Sequence, residues 1–102
     1  MPIPFDVQTS NNETRLTLRG SLDINSAPVL SEEIDRIIAT KPGKVAVDLS
    51  SLDLIDSSGV AALVKLYKGI RNGGGEVAIV GARDQPLAIF KLLRMDKVFG
   101  LV

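Results

Sequence analysis

The stretch "VAVDLSSLDLIDSSGVAALV", residues 45–64, passes from one apolar run through a polar segment into another. Residues 44–49, "KVAVDL", are short and almost continuously apolar, which is typical of a strand covered on both faces. Residues 50–56, "SSLDLID", predict a loop. Beyond the loop, apolar residues recur at helical spacing, namely Val60, Leu63, Val64, Tyr67 and Ile70. The stretch therefore predicts a strand, a loop and a helix in succession.

Upstream of this unit, the pattern predicts a hairpin and a helix. Apolar residues alternate in "PFDVQT" and "RLTLR", with the turn-forming "SNNE" between them, which predicts an antiparallel hairpin at a sheet edge. Residues 24–40 predict a helix that Asn25 or Ser26 caps, with Pro28 in its first turn. Its apolar stripe consists of Ala27, Leu30, Ile34, Ile37 and Ile38.

Downstream, residues 76–80, "EVAIV", predict another continuously apolar strand, and residues 85–95 predict a third helix with Gln85 and Pro86 near its start. The final segment, "KVFGLV", predicts a short strand or an extended tail. The order is β-β-α-β-α-β-α, which implies a single α/β domain over residues 1–102. We expect a mixed, mostly parallel sheet with an N-terminal antiparallel hairpin and three or more helices packed on it.

Composition narrows the possible functions. Lys plus Arg and Asp plus Glu balance at 12 each, so the chain lacks the basic character of a nucleic-acid-binding protein. It contains no His and no Cys, which removes Ser-His-Asp triads, cysteine nucleophiles and the usual zinc sites. No apolar run reaches the roughly 20 residues that span a bilayer. We expect a cytoplasmic binding module that uses no cofactor, metal, membrane or nucleic acid.

The start of the second predicted helix combines more polar residues than one helix cap requires. Asp56 is placed to cap the helix, and Ser57 and Ser58 fall in its first turn. Gly59 leaves the backbone unshielded, so a partner could approach closely there. A simple capped helix is one interpretation, and a binding site at the carboxyl edge of the sheet is the other. The residues alone leave both open.

Two segments carry a resemblance to a known family. "DLSSLDLIDSSG", residues 48–59, with the apolar helix and Gly-rich stop after it, resembles the anti-sigma factor antagonists. These are small single-domain STAS proteins of bacterial partner-switching systems. "LRGSLDINSAP", residues 18–28, resembles the upstream part of the same family, and the whole resemblance runs from about Phe5 to Val98. Many members continue into a further helix, whose contacts are not carried over.

The resemblance implies a phosphorylation switch in transcription regulation. An unphosphorylated antagonist of this kind binds an anti-sigma factor that is also a serine kinase of the histidine-kinase-like ATPase type. The kinase phosphorylates the first serine of the motif, which corresponds to Ser57, and a separate serine phosphatase reverses the change. The residues that the resemblance assigns to partner binding are Asp23, Asp56, Ser57, Ser58 and Gly59.

Two other functions remain open at this point. The chain could be a non-catalytic STAS subunit of a transporter or stress-signalling assembly, which would share the fold without being phosphorylated. It could also be an enzyme or nucleotide-binding protein in which Asp48, Asp53 and Asp56 hold Mg²⁺ through oxygen.

Overall fold

A computed structural model describes residues 5–99, and its elements follow the predicted order. They are β1 (Phe5–Ser10), β2 (Glu13–Leu22), α1 (Ala27–Ala39), β3 (Lys44–Ile55), α2 (Ser57–Asn72), β4 (Glu76–Val80) and α3 (Asp84–Leu92). The strands form one sheet in the order β1-β2-β3-β4. β1 pairs with β2 in antiparallel fashion, whereas β2, β3 and β4 are parallel. The predicted fold class is therefore confirmed.

The core lies on one face of the sheet. Leu16, Val47 and Ile79 are aligned across the three parallel strands, and all three are buried. They join one apolar cluster with residues from every helix, including Leu30, Leu63 and Phe90. The helices therefore share a single layer above the sheet, which agrees with a shortest molecular dimension of 19 Å.

The opposite face of the sheet carries no described helix, and its side chains are mostly polar or small, with Val80 of β4 as an exposed apolar exception. Arg15 and Asp48 form an ion pair there at 2.9 Å, and neither belongs to the core cluster. Ala46 and Ala78 occupy aligned positions on the same face. The prediction that residues 44–49 are covered on both faces is confirmed only for Ala46, which is 6% exposed, and is wrong for Asp48, which is half-buried on the same face. Ala46 made the run appear continuously apolar, but its short side chain needs no covering layer.

β3 is twice as long as the sequence predicts, because it continues to Ile55 beside the end of β2. Ser51 pairs with Arg19 and Ile55 pairs with Leu22, with register shifts on either side of Gly20. Gly20 has φ +70, a value that glycine adopts without steric cost. The loop predicted for residues 50–55 is wrong. Because the bulges displace the register, the buried Leu52 and Ile55 lie three positions apart instead of two.

The C-terminal segment adds an aromatic cluster to the core. α3 ends at Leu92, earlier than predicted, and residues 97–99 form turns, so a strand over the described part of "KVFGLV" is wrong. Residues 100–102 lie outside the described part. The Phe99 ring packs edge-on against Tyr67 and Phe90, at 5.5 Å between centroids in each case. No helix within residues 5–99 is long and apolar enough to cross a membrane.

Candidate functional site

Two strand-to-helix junctions lie side by side at the carboxyl edge of the sheet. We call residues 23–26, between β2 and α1, the first junction, and residues 56–59, between β3 and α2, the second junction. Leu22 and Ile55 are paired at the strand ends, and the Asp56 N–H donates to the Leu22 carbonyl at 3.1 Å. The parallel pairing of β2 and β3 therefore brings all five predicted site residues into one region.

The first junction satisfies its own polar groups. Asp23 Oδ1 accepts from the Asn25 N–H at 2.9 Å and the Ser26 N–H at 3.2 Å. Ser26 Oγ accepts from the Asp23 N–H at 3.0 Å and donates to the Ser21 carbonyl at 2.9 Å. Ser26 occupies the N-cap position of α1 and is one of the two predicted caps. Its hydroxyl, however, accepts no hydrogen bond from a backbone N–H of α1. Asp23 and Ser26 thus close a turn.

Asp56 joins the two junctions through both of its carboxylate oxygens. Oδ1 accepts from the Gly59 N–H at 3.1 Å, which confirms Asp56 as the cap of α2. Oδ2 accepts from the Ile24 N–H of the first junction, also at 3.1 Å. One side chain therefore fixes the start of α2 and its distance from the loop that precedes α1.

The two serines take no part in this capping. Ser57 is the first residue of α2 and is exposed, whereas Ser58 is half-buried. Within residues 5–99, neither hydroxyl makes a hydrogen bond. Ser58 lines a groove of about 380 Å³ between α1 and α2, with Ile24 at one end and Lys65 at the other. Both hydroxyls are therefore surplus to the local structure.

Gly59 has a structural role that the sequence did not reveal. It is buried, and a Cβ added there would lie 2.7 Å from side-chain carbons of Leu22 and Ile55 and 2.8 Å from the Leu22 carbonyl oxygen. The expectation that its missing side chain lets a partner approach is wrong. The space is already filled by the strand ends, on which the first turn of α2 packs directly.

Exposed apolar side chains lie in the segments that flank the serines, and the sequence analysis did not single them out. Ile24 is 71% exposed and Leu54 is 53% exposed. Ile24 belongs to the first junction. Leu54 lies near the end of β3, just before the second junction. Large apolar residues inside otherwise polar segments were the signal that could have identified them.

The aspartates proposed for Mg²⁺ do not converge. Asp48 accepts from the Ser50 hydroxyl and N–H, and these bonds, with Arg15 nearby, hold the pKa of Asp48 below its usual value. Asp53 lies 4.0 Å from Arg83, and both oxygens of Asp56 are used at the junctions. Among residues 5–99, no group of three potential ligands is placed to hold a metal ion.

Comparison with known proteins gives a consistent family. A family model described as "Mlab, STAS domain" matches residues 5–102. The anti-sigma-B factor antagonist of Bacillus subtilis is 23% identical over 101 residues, which cover 99% of this chain and 92% of that protein.

Two solved structures illustrate the shared fold. An anti-sigma factor antagonist from Mycobacterium paratuberculosis superposes with a TM-score of 0.83 at 23% identity, covering 93% of this chain and 80% of that one. The Bacillus cell fate determinant SpoIIAA in its phosphorylated form superposes with a TM-score of 0.76 at 16% identity, covering 91% and 86%.

Proposed function

The chain belongs to the STAS domain family, and we propose that it is an anti-sigma factor antagonist controlled by phosphorylation of Ser57. Its unphosphorylated form binds an anti-sigma factor that is also a serine kinase, and modification of Ser57 ends that binding. One observation carries the proposal: Ser57 presents an exposed hydroxyl without a hydrogen bond to any described residue, at a helix start that Asp56 already caps. The relatives named as antagonists support the choice of partner.

The position of Ser57 allows the fold to accept a phosphate. Because the hydroxyl makes no hydrogen bond within residues 5–99, phosphorylation breaks none there. The phosphate brings about −1.5 to −2 charges. The N–H groups and dipole at the start of α2 favour negative charge, which offsets repulsion from the neighbouring Asp56. The free protein therefore keeps its structure.

The same phosphate weakens the binding of a partner. Ile24 and Leu54 offer exposed apolar surface on the two segments beside Ser57, which suits a partner that buries both. Packing a partner there removes water from Ser57 and from any phosphate on it. Burying an incompletely paired charge costs far more than burying a hydroxyl, so the complex is weakened while the free protein is not.

The proposed role is binding, with the chemistry supplied by the partners. A serine kinase of the histidine-kinase-like ATPase type adds the phosphate, and a separate serine phosphatase removes it. At the two junctions, Asp23 and Ser26 close a turn and Asp56 caps α2, whereas the hydroxyls of Ser57 and Ser58 bond to no described residue. Within residues 5–99, none of these groups is arranged as an activated nucleophile and base.

Incubation with the kinase from the same organism and ATP, followed by fragment-ion mass spectrometry, tests the proposal. We expect phosphate on Ser57, none in Ser57→Ala, and phosphate still on Ser57 in Ser58→Ala. Phosphate mainly on Ser58 would overturn the residue assignment. If neither serine is modified and the kinase does not bind, the chain is better described as a non-catalytic subunit of a transporter or stress-signalling assembly.

A further inference from the structure

β3, the strand that leads into the second junction, extends beyond the end of its neighbour β4. β4 pairs with β3 only from Lys44 to Asp48, where it ends at Val80. β3 continues to Ile55, so its residues 49–55 have no described strand on this side. Backbone N–H and C=O groups on such an edge need partners from elsewhere.

Side chains from the segment after β4 take the place of the missing strand. Gln85 Oε1 accepts from the Ile55 N–H, and Gln85 Nε2 donates to the Ile55 carbonyl, both at 2.9 Å. One amide thus matches both backbone groups of one residue, as a neighbouring strand would. Arg83 Nε adds a bond to the Ser50 carbonyl at 2.9 Å, farther back along the same edge.

The bonds from Gln85 act at the entrance to the second junction. Ile55 directly precedes Asp56, whose N–H bonds to Leu22 on the other side of the strand. The chain entering α2 is therefore held by β2 on one edge and by Gln85 on the other. Without Gln85, the N–H and the carbonyl of Ile55 would lose their hydrogen bonds on this edge.

We propose that Gln85 is a positioning residue that fixes the segment from Ile55 to Ser57, and so sets the place at which the kinase meets the serine hydroxyl. Its effect on phosphorylation rests on the proposed function, whereas its effect on the segment does not. Gln85 itself contacts the strand and not Ser57, so it acts through Ile55. Small displacements of a reacting group reduce rates strongly, which is why this restraint matters for the kinase.

Three variants separate this role from a general loss of stability. Gln85→Ala removes both bonds. Gln85→Glu keeps an acceptor for the Ile55 N–H but places carboxylate oxygen against the Ile55 carbonyl. Gln8→Ala is the matched control, because Gln8 is exposed on β1 and makes no hydrogen bond with the other described side chains. Each variant is examined by amide hydrogen exchange at Ile55, by NMR order parameters over residues 55–58 and by the rate of Ser57 phosphorylation.

We expect Gln85→Ala to speed exchange of the Ile55 amide by about 5- to 10-fold, as the loss of one hydrogen bond implies, and to lower the order parameters of residues 55–58. We expect kcat/KM for phosphorylation of Ser57 to fall by roughly 3- to 10-fold because the hydroxyl is less well placed. Gln8→Ala should match the wild type throughout. In Gln85→Glu, the carbonyl opposite favours the protonated acid, so protection of Ile55 should return as the pH falls and the introduced carboxyl gains its proton.

Unchanged exchange at Ile55 and unchanged order in Gln85→Ala would overturn the inference. So would a disordered segment that is still phosphorylated at the wild-type rate, because Gln85 would then support the strand without positioning the serine. If the kinase does not modify even the wild-type protein, the proposed function fails. In that case the exchange and order measurements still decide whether Gln85 fixes the segment.

Discussion

The two junctions use the same residue types at the same place in a strand-to-helix unit, yet they differ in what they leave free. In the first junction the Ser26 hydroxyl both accepts and donates hydrogen bonds, and Asp23 closes the turn on itself. In the second, Asp56 alone completes the cap and Ser57 has no hydrogen bond to another described residue. Residue type alone does not distinguish a serine whose hydroxyl supports the fold from one whose hydroxyl is unbonded, whereas the hydrogen bonds of each hydroxyl do.

The largest effect should come from filling the tight contact beneath the second junction. We expect Gly59→Val to lower the free energy of unfolding by about 3 kcal/mol, because the new side chain collides with the ends of β2 and β3. Gly73→Ala is the control, since its Cβ would meet only ordinary contacts and should change stability by less than about 0.5 kcal/mol. Urea denaturation measures both. A Gly59→Val protein as stable as the wild type would mean that the contact relaxes easily.

The next largest effect should come from Asp56, which accepts hydrogen bonds through both carboxylate oxygens, whereas Asp23 uses only one. We expect Asp56→Ala to cost about 2 kcal/mol, as a lost cap plus a lost bond to Ile24. Asp56→Asn should cost about 1 kcal/mol, because its amide nitrogen would face a second N–H donor. Asp23→Asn should cost under about 0.5 kcal/mol, since one oxygen accepts both bonds. Equal losses in the two asparagine variants would remove the distinction.

A negative charge at the second junction should change binding more than folding. We expect Ser57→Asp to weaken the kinase complex by about 1 kcal/mol, or about 5-fold, and phosphorylation to weaken it by up to about 3 kcal/mol, because phosphate carries more charge. The melting temperature should hardly move, since the dipole of α2 offsets the charge. Titration calorimetry with wild-type, Ser57→Asp and phosphorylated protein measures this. Equal affinities for all three would show that Ser57 is no switch.

The smallest effect compares the two serines directly. We expect Ser26→Ala to cost about 1 kcal/mol, since its hydroxyl bonds to Ser21 and Asp23. Ser57→Ala should change stability by less than about 0.5 kcal/mol, as an exposed hydroxyl without a described bond implies. Melting curves at matched concentration distinguish the two. If Ser57→Ala lowers stability more than Ser26→Ala does, the Ser57 hydroxyl has a structural role that its lack of a described hydrogen bond does not indicate.

The order of elements, the hairpin and the cap at Asp56 could be read from the sequence because each depends on neighbouring residues. The second half of β3 could not, since bulges against β2 disguise its alternation. The sequence did not predict the tight packing of Gly59 on the strand ends, because a glycine fits equally well in an open position and in a crowded one. Gln85 was placed near the start of α3, but its partner Ile55 lies 30 residues away and is contacted through the backbone. Such pairings leave no local pattern.

The strand order has a consequence for how the protein matures on the ribosome. Because β1, β2, β3 and β4 are neighbours in chain order, each new strand emerges beside a partner that has already been made. The N-terminal part can therefore assemble first during synthesis. Gln85 emerges after the serine segment that it holds, together with the start of α3. We expect the nascent chain to acquire its sheet progressively, and the region around Ser57 to reach its final order only when α3 has left the exit tunnel.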